Sequence, residues 1–225
     1  GRGNPPPRAG ARGPPAAGAK PPPAAPAPAR HSWPLRRQLR SPEFVLLVTW
    51  FSCCILPSQF MVLSVGDQVE AKGAGAREAE RHSRTFNLVW LASAATAPAS
   101  GHLADRAGLG AAMGAASALL AASFPALHLA PLRVQPLTFA AYNVGRLWVF
   151  SCYFQYVGVR FGYAHYGLLA GTGMLASALL SLLGYPLLQL GLREGFGVPD
   201  ATCASLVAAT LPYCAWVGAV ERRER

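Results

Sequence analysis

The chain of 225 residues is 52% hydrophobic and only 13% charged, with a formal net charge of +10. A soluble domain carries charge on about a quarter of its residues, so this balance excludes a water-covered globule, and the apolar residues gather in runs of about 20, enough for a helix to cross a hydrocarbon core. The basic excess does not describe a nucleic-acid surface: eight of the twenty Lys and Arg residues precede residue 41 and most others flank apolar runs, as topology signals do.

Residues 1–40 hold eleven of the twenty prolines among Ala, Gly and Arg. Such a stretch buries too little apolar surface to offset the entropy of ordering, so a disordered tail or central linker is expected there. The first span is predicted over about 44–65 and contains Pro57 and Gln59. A polar loop follows over 66–84, with four acidic and four basic residues, and a short second span over about 85–100. The third span covers 109–129, the fourth 134–157, the fifth 166–190 and the sixth about 202–220, before a charged end at 221–225. Each must be helical, because a spanning segment has to satisfy its own backbone hydrogen bonds. The expected fold is therefore an all-α membrane protein, with a bundle of six transmembrane helices over 41–220.

With six spans both termini share one side. That side carries the eight tail residues, Arg106, Arg160, Arg222, Arg223 and Arg225; the other carries Lys72, Arg77, Arg81, Arg84, Arg133 and Arg193. The excess places both termini in the cytoplasm. The chain begins with Gly1 and shows no signal peptide, which suggests a fragment.

The five cysteines (Cys53, Cys54, Cys152, Cys203 and Cys214) lie in apolar runs, where a thiol behaves as a small hydrophobe. The five histidines are scattered, so neither a metal site nor a cofactor is expected. No phosphate-binding loop, nucleotide fingerprint, paired carboxylates within a span or Ser–His arrangement is present, and an enzyme is not expected. No predicted span contains a buried Asp or Glu, which argues against proton coupling.

Four groups of residues carry a functional expectation. Gly101, Asp105, Arg106 and Gly108 form a tight polar connection after the second span. There Asp105 can cap the amides that open the third helix and Arg106 can meet a carboxylate or lipid phosphate. Arg146 stands near the centre of the fourth span, where a charge costs about 2.5–3.5 kcal/mol on insertion scales. Tyr142, Asn143 and Arg146 share a broad helical face with Phe150. That face either lines a pathway or pairs with a neighbouring helix. Gln59 beside Pro57 marks either an opened helix near a binding site or a packing contact. Gly110, Gly114, Gly167 and Gly171 let helices approach closely, in a fixed contact or a moving one.

The run Gly101-His102-Leu103-Ala104-Asp105-Arg106-Ala107-Gly108 resembles the signature loop of the major facilitator superfamily, which follows the second helix of each six-helix half. The resemblance implies that Asp105 belongs to a charge network holding the two halves together in one state and releasing them in another. Leu109-Gly110 stands where the family often has two basic residues. Leu137-Thr138-Phe139, Arg146 and Tyr166-Gly167-Leu168-Leu169-Ala170-Gly171 fall at spacings similar to the L-type amino acid transporter branch, solute carrier family 43. That branch has an arginine in the equivalent helix and a later F-G-x-L-x-G helix start, with Tyr166 here in place of the aromatic Phe. Ser41-Pro42 and the polar loop after the first span also fit, so the similarity extends over about residues 41–225. It implies the C-terminal six-helix half of a transporter that moves amino acids or similar small organic solutes by alternating access. The implied partners are the lipid bilayer and a missing N-terminal six-helix half. The other expectation is a multi-pass membrane protein of structural or assembly role.

Overall fold

Ser41 and Pro42 start the first long helix. The Ser41 hydroxyl accepts the Phe44 amide at 3.2 Å and Pro42 sits where a missing N–H costs nothing. The computed structural model describes residues 33–224; residues 1–32, which hold most of the proline-rich tail, lie outside that range. The described chain begins with a short helix, α1 (Leu35–Leu39), whose Gln38 is buried. This helix falls within the stretch 1–40.

Every element among the described residues is helical. After α1 come α2 (Pro42–Ala71), α3 (Ala76–Ser93), α4 (Ala97–Ala107), α5 (Leu109–Leu129), α6 (Gln135–Phe161), α7 (Tyr166–Ser181), α8 (Gly184–Glu194), α9 (Gly197–Ala208) and α10 (Leu211–Glu224). Four stretches are long and apolar enough to cross a membrane: α2, α5, α7 with α8, and α9 with α10. They mark a multi-pass membrane protein. The α3–α4 and α6 stretches do not meet that measure; α3 carries Arg77, Glu78, Glu80, Arg81 and Arg84, and α6 carries Arg146 and Arg160.

Two expected loops prove to be helix. α2 continues to Ala71 and α3 begins at Ala76, so the polar segment 66–84 shrinks to a connection of four residues, Lys72, Gly73, Ala74 and Gly75. The expected turn over 101–108 is helical through Ala107, leaving only Gly108 outside. Polar residues at a membrane boundary stay helical because each added residue gains a backbone hydrogen bond, whatever its side chain.

Prolines place the interruptions. Pro98, Pro186 and Pro212 have no amide to give the carbonyl four residues earlier, and the helices open at Ala94–Thr96, Leu182–Leu183 and Ala209–Thr210. At the first of these openings the Ala97 amide donates to the Ala94 carbonyl, and the Trp148 indole donates to the Thr96 carbonyl at 3.2 Å. Pro57 leaves α2 continuous. Around it the Ser58 hydroxyl donates to the Cys54 carbonyl at 2.8 Å and the Tyr142 hydroxyl to the Ser58 carbonyl at 2.5 Å.

The helices form two similar sets: α2, α3–α4 and α5, then α6, α7–α8 and α9–α10. Gly108 ends the second stretch of one set at φ 94°, ψ 157°, and Gly195 ends that of the other at φ 94°, ψ 159°. Only glycine reaches this region at little cost. The surrounding runs match, Arg106-Ala107-Gly108-Leu109-Gly110 against Arg193-Glu194-Gly195-Phe196-Gly197. Further on at the same offset, the Ser123 hydroxyl donates to the Leu120 carbonyl (2.6 Å) and the Thr210 hydroxyl to the Val207 carbonyl (2.7 Å), each two residues before a proline. Packing is reciprocal: α2 lies on α7 and α6 on α3, while the third members, α5 and α9–α10, meet each other.

The two sets run in opposite senses. The α2–α3, α5–α6 and α8–α9 connections gather at one end, joined by Lys72 to the Leu127 and Ala130 carbonyls and by His82 to the Leu132 carbonyl. These three connections make up the loop end of the bundle. At the other, terminal end, Gln38 reaches the Phe161 carbonyl and Arg160 reaches Glu43 and Glu224. The core between is aromatic and aliphatic, with Trp50, Phe51, Phe60, Phe124, Phe139, Tyr142 and Tyr153 fully enclosed.

Candidate functional site

α6 carries three of the four residues proposed from sequence, and its packing separates them. α3 and α5 cover α6 from two sides. Tyr142 is wholly buried, ringed by Phe86 and Phe124 and tied to the Ser58 carbonyl. Asn143 is 1% exposed and donates its amide to the Phe139 carbonyl of its own helix at 2.9 Å. Neither lines an open face within this chain. The shared helical face expected for Tyr142, Asn143 and Arg146 turns its first turn inward, because the large apolar residues of α3 and α5 close over it.

Arg146 is different. It is half-buried, and its guanidinium lies over the Trp90 ring at 4.7 Å and 6.0 Å from that of Phe150. One guanidinium nitrogen, Nη1, is buried without a hydrogen-bond acceptor among the described residues. The rings offer the cation about 0.5–2 kcal/mol, depending on desolvation, but no acceptor. Beyond Phe150 the aromatics continue, Phe150 edge-on to Phe51 and Phe51 stacked on Tyr153 at 4.0 Å. Arg146 therefore stands at the end of an aromatic tier with donor capacity to spare, chemistry suited to a carboxylate. Gln59, one residue from the Tyr142–Ser58 contact, is half-buried on α2.

At the terminal end, Asp105 and Arg106 are both exposed, and neither makes an ion pair among the described residues. The amides that Asp105 was expected to cap are taken by a different carboxylate: Glu221 of α10 accepts Leu109 N–H at 3.2 Å and Gly110 N–H at 3.0 Å. The helix through Ala107 leaves Asp105 on its outer surface, while α10 delivers Glu221 directly over the start of α5. Gly101 is half-buried with open space beside it, and Gly108 makes the turn described above.

The four proposed packing glycines divide evenly. A Cβ on Gly110 would enter the Gly218 backbone and come within 2.8 Å of the Cys214 carbonyl, and one on Gly114 would sit 3.7 Å from the Cys214 Cβ. Gly167 and Gly171 face open space within this chain. On α7 that open face also bears Leu168, Leu175 and Leu179.

Three arrangements were not anticipated. Glu43, in the first turn of α2, accepts the Tyr156 hydroxyl at 2.8 Å and lies 3.3 Å from Nε of Arg160, whose Nη1 donates to Glu224 at 2.5 Å. Glu221 caps α5. Asp200, in the first turn of α9, is 2% exposed and accepts the Gln68 amide at 3.2 Å. Glu43 and Asp200, both buried and both in span-length helices, correct the expectation that no span holds a buried acid. Apolar run length started the sixth span at Thr202, but Gly195 and Pro199 signal a helix start that takes in Asp200. No group of three or more His, Cys, Asp and Glu residues able to hold a metal occurs among the described residues.

No protein-family model, curated protein or solved structure matches this chain.

Proposed function

We propose that this chain is one six-helix half of an alternating-access transporter, moving amino acids or similar small organic solutes and resembling the solute carrier family 43 branch of the major facilitator superfamily. The observation that carries the reading is the pair of inverted three-helix sets, alike in their Gly108 and Gly195 turns and packed reciprocally. Inverted repeats are the construction from which many carriers build a central site and two alternating openings. In this reading all six stretches cross the membrane, with α3–α4 and α6 the more polar two, and the termini are cytoplasmic. Only 28% of the α7–α8 window and 28% of the α9–α10 window is buried, leaving surface for lipid and for a second six-helix bundle.

Arg146 is the residue proposed to meet solute, its half-buried guanidinium offered to a carboxylate as a charge-assisted hydrogen bond. Gln59 is assigned to the solute path between the two bundles with Arg146, and Tyr142 and Asn143 support Arg146 on α6. Asp105 and Arg106 act at the cytoplasmic gate between the two bundles and do not touch solute.

A second reading, a membrane protein of structural or assembly role, draws on the burial of Tyr142 and Asn143, which leaves two of the four polar candidates without an opening. One experiment separates the two. Uptake of labelled amino acids is measured for wild type and Arg146→Leu in the full-length protein, alongside surface abundance. Transport predicts loss of uptake at unchanged abundance. A wild type that moves no amino acid or related solute, or an Arg146→Leu variant with full uptake, sinks the assignment to this site.

A further inference from the structure

Asp200 is an acid held under conditions that disfavour its charge. It lies in the first turn of α9 at 2% exposure. Oδ1 accepts the Gln68 amide, which is also 2.9 Å from the Ser64 hydroxyl. Oδ2 is buried and accepts no hydrogen bond among the described residues. The nearest ionisable nitrogen, His128 Nδ1, stands 3.9 Å away, beyond hydrogen-bond reach. Lys72 is directed elsewhere, to the Leu127 and Ala130 carbonyls, which also receive the Gln135 amide. A buried carboxylate with an uncompensated oxygen is costly, and a proton on that oxygen removes the cost. The α9 N-terminus favours the charged form, so the two forms are balanced against each other.

We propose that Asp200 is a proton-binding site served from the loop end through His128, and that its charge state controls the junction of α2, α5 and α9. His128 lies in the last turn of α5, with its side chain 50% exposed, so one part of the ring meets solvent while Nδ1 faces Asp200. It also lies against Gly197, where an added Cβ would be 3.3 Å from Cε1. Rotation of this ring closes the gap. Nε2 takes a proton from solvent hydronium as the Nδ1–H bond breaks and the O–H bond at Oδ2 forms, so the imidazole ends neutral in its other tautomer, water is released and no other reactant is needed.

The groups facing Asp200 are Gln68 and Lys72 from α2, His128 from α5 and Cys203 on its own helix. α8 places no basic residue within ion-pair distance among the described residues. Protonation weakens the attraction of Asp200 for His128 and Lys72 together, loosening the ends of α2 and α5 from the start of α9. The link to solute movement rests on the transporter reading; the proton site does not.

The test is infrared difference spectroscopy on the protein in lipid nanodiscs, stepped from about pH 8 to about pH 5, the physiological span. Wild type should gain a protonated-carboxyl C=O band that Asp200→Asn lacks and Glu43→Gln keeps. Gln68→Leu removes the donor to Oδ1 and should move the midpoint of the band to higher pH. His128→Ala should keep the band and slow its appearance after a pH jump. A band unchanged in Asp200→Asn, or no band in wild type, overturns the site. Uptake into liposomes with pH varied on the loop side reads the coupling: wild type should change by up to about tenfold per pH unit, the limit for one proton, and Asp200→Asn should be flat. Equal pH dependence in both overturns the coupling. A band that follows Asp200 in a protein without uptake leaves the proton site standing and removes the transporter reading instead.

Discussion

Gly110 and Gly218 bring α5 and α10 together backbone to backbone, but the contact is one-sided. A Cβ added to Gly110 would enter the Gly218 main chain, whereas one added to Gly218 would meet Gly110 carbons at 3.9 Å, an ordinary contact. Gly110→Ala should therefore destabilise the protein by about 1–3 kcal/mol, the usual cost of overpacking, since backbone cannot yield as a side chain does. Gly218→Ala should be tolerated. Thermal unfolding in detergent or nanodiscs compares the two, and equal losses would contradict the asymmetry.

Glu221, one turn beyond Gly218, closes the open amides of α5, and Asp105 does not. Glu221→Ala should cost about 0.5–2 kcal/mol, as a lost N-terminal cap does. Asp105→Asn should leave stability within about 0.5 kcal/mol, the usual range for a surface position. If Asp105 serves the gate, its substitution slows turnover at unchanged solute affinity. An effect confined to affinity would count against the gate.

The helical, membrane-spanning character of the chain was legible from run length and charge, because a bilayer demands long apolar segments whatever their partners. The helix openings were passed over, the fifth and sixth spans being read straight through Pro186 and Pro212, although each of Pro98, Pro186 and Pro212 withholds one particular amide. The junctions were not legible. Glu221 meets α5 across more than a hundred residues of chain, and neither hydropathy nor local spacing encodes that meeting. Arg146 stood out because a charge in an apolar run has few innocent placements, but the inward turn of Tyr142 and Asn143 depends on which helices cover α6. Asp200 escaped for a simpler reason: apolar run length began its helix at Thr202, although Pro199 already marked an earlier start.

Glu43 and Arg160 form a pair nearly closed to solvent, their side chains 9% and 15% exposed. Removing one partner from a buried pair typically costs about 3–5 kcal/mol because the remaining charge stays desolvated. Arg160→Ala should fall near the lower end, since the Tyr156 hydroxyl still donates to Glu43. The double change Glu43→Gln with Arg160→Met removes both charges and should recover most of the loss. Unfolding measurements on the two singles and the double close the cycle, and additive losses would mean the pair is not coupled.

Tyr142 distinguishes a residue that supports the site from one that lines it. Its ring is enclosed and its hydroxyl donates to the Ser58 carbonyl beside Pro57. Tyr142→Phe keeps the ring and deletes that bond, so stability should drop by about 1 kcal/mol. In the transporter reading, KM should stay within about twofold of wild type, a difference worth less than half a kcal/mol. A lining role predicts the opposite pattern, with KM raised and stability preserved. Uptake kinetics and thermal unfolding on the same preparation separate these outcomes. A raised KM would mean that α3 swings away from α6 during the cycle and opens the Phe86 side of the ring to solute.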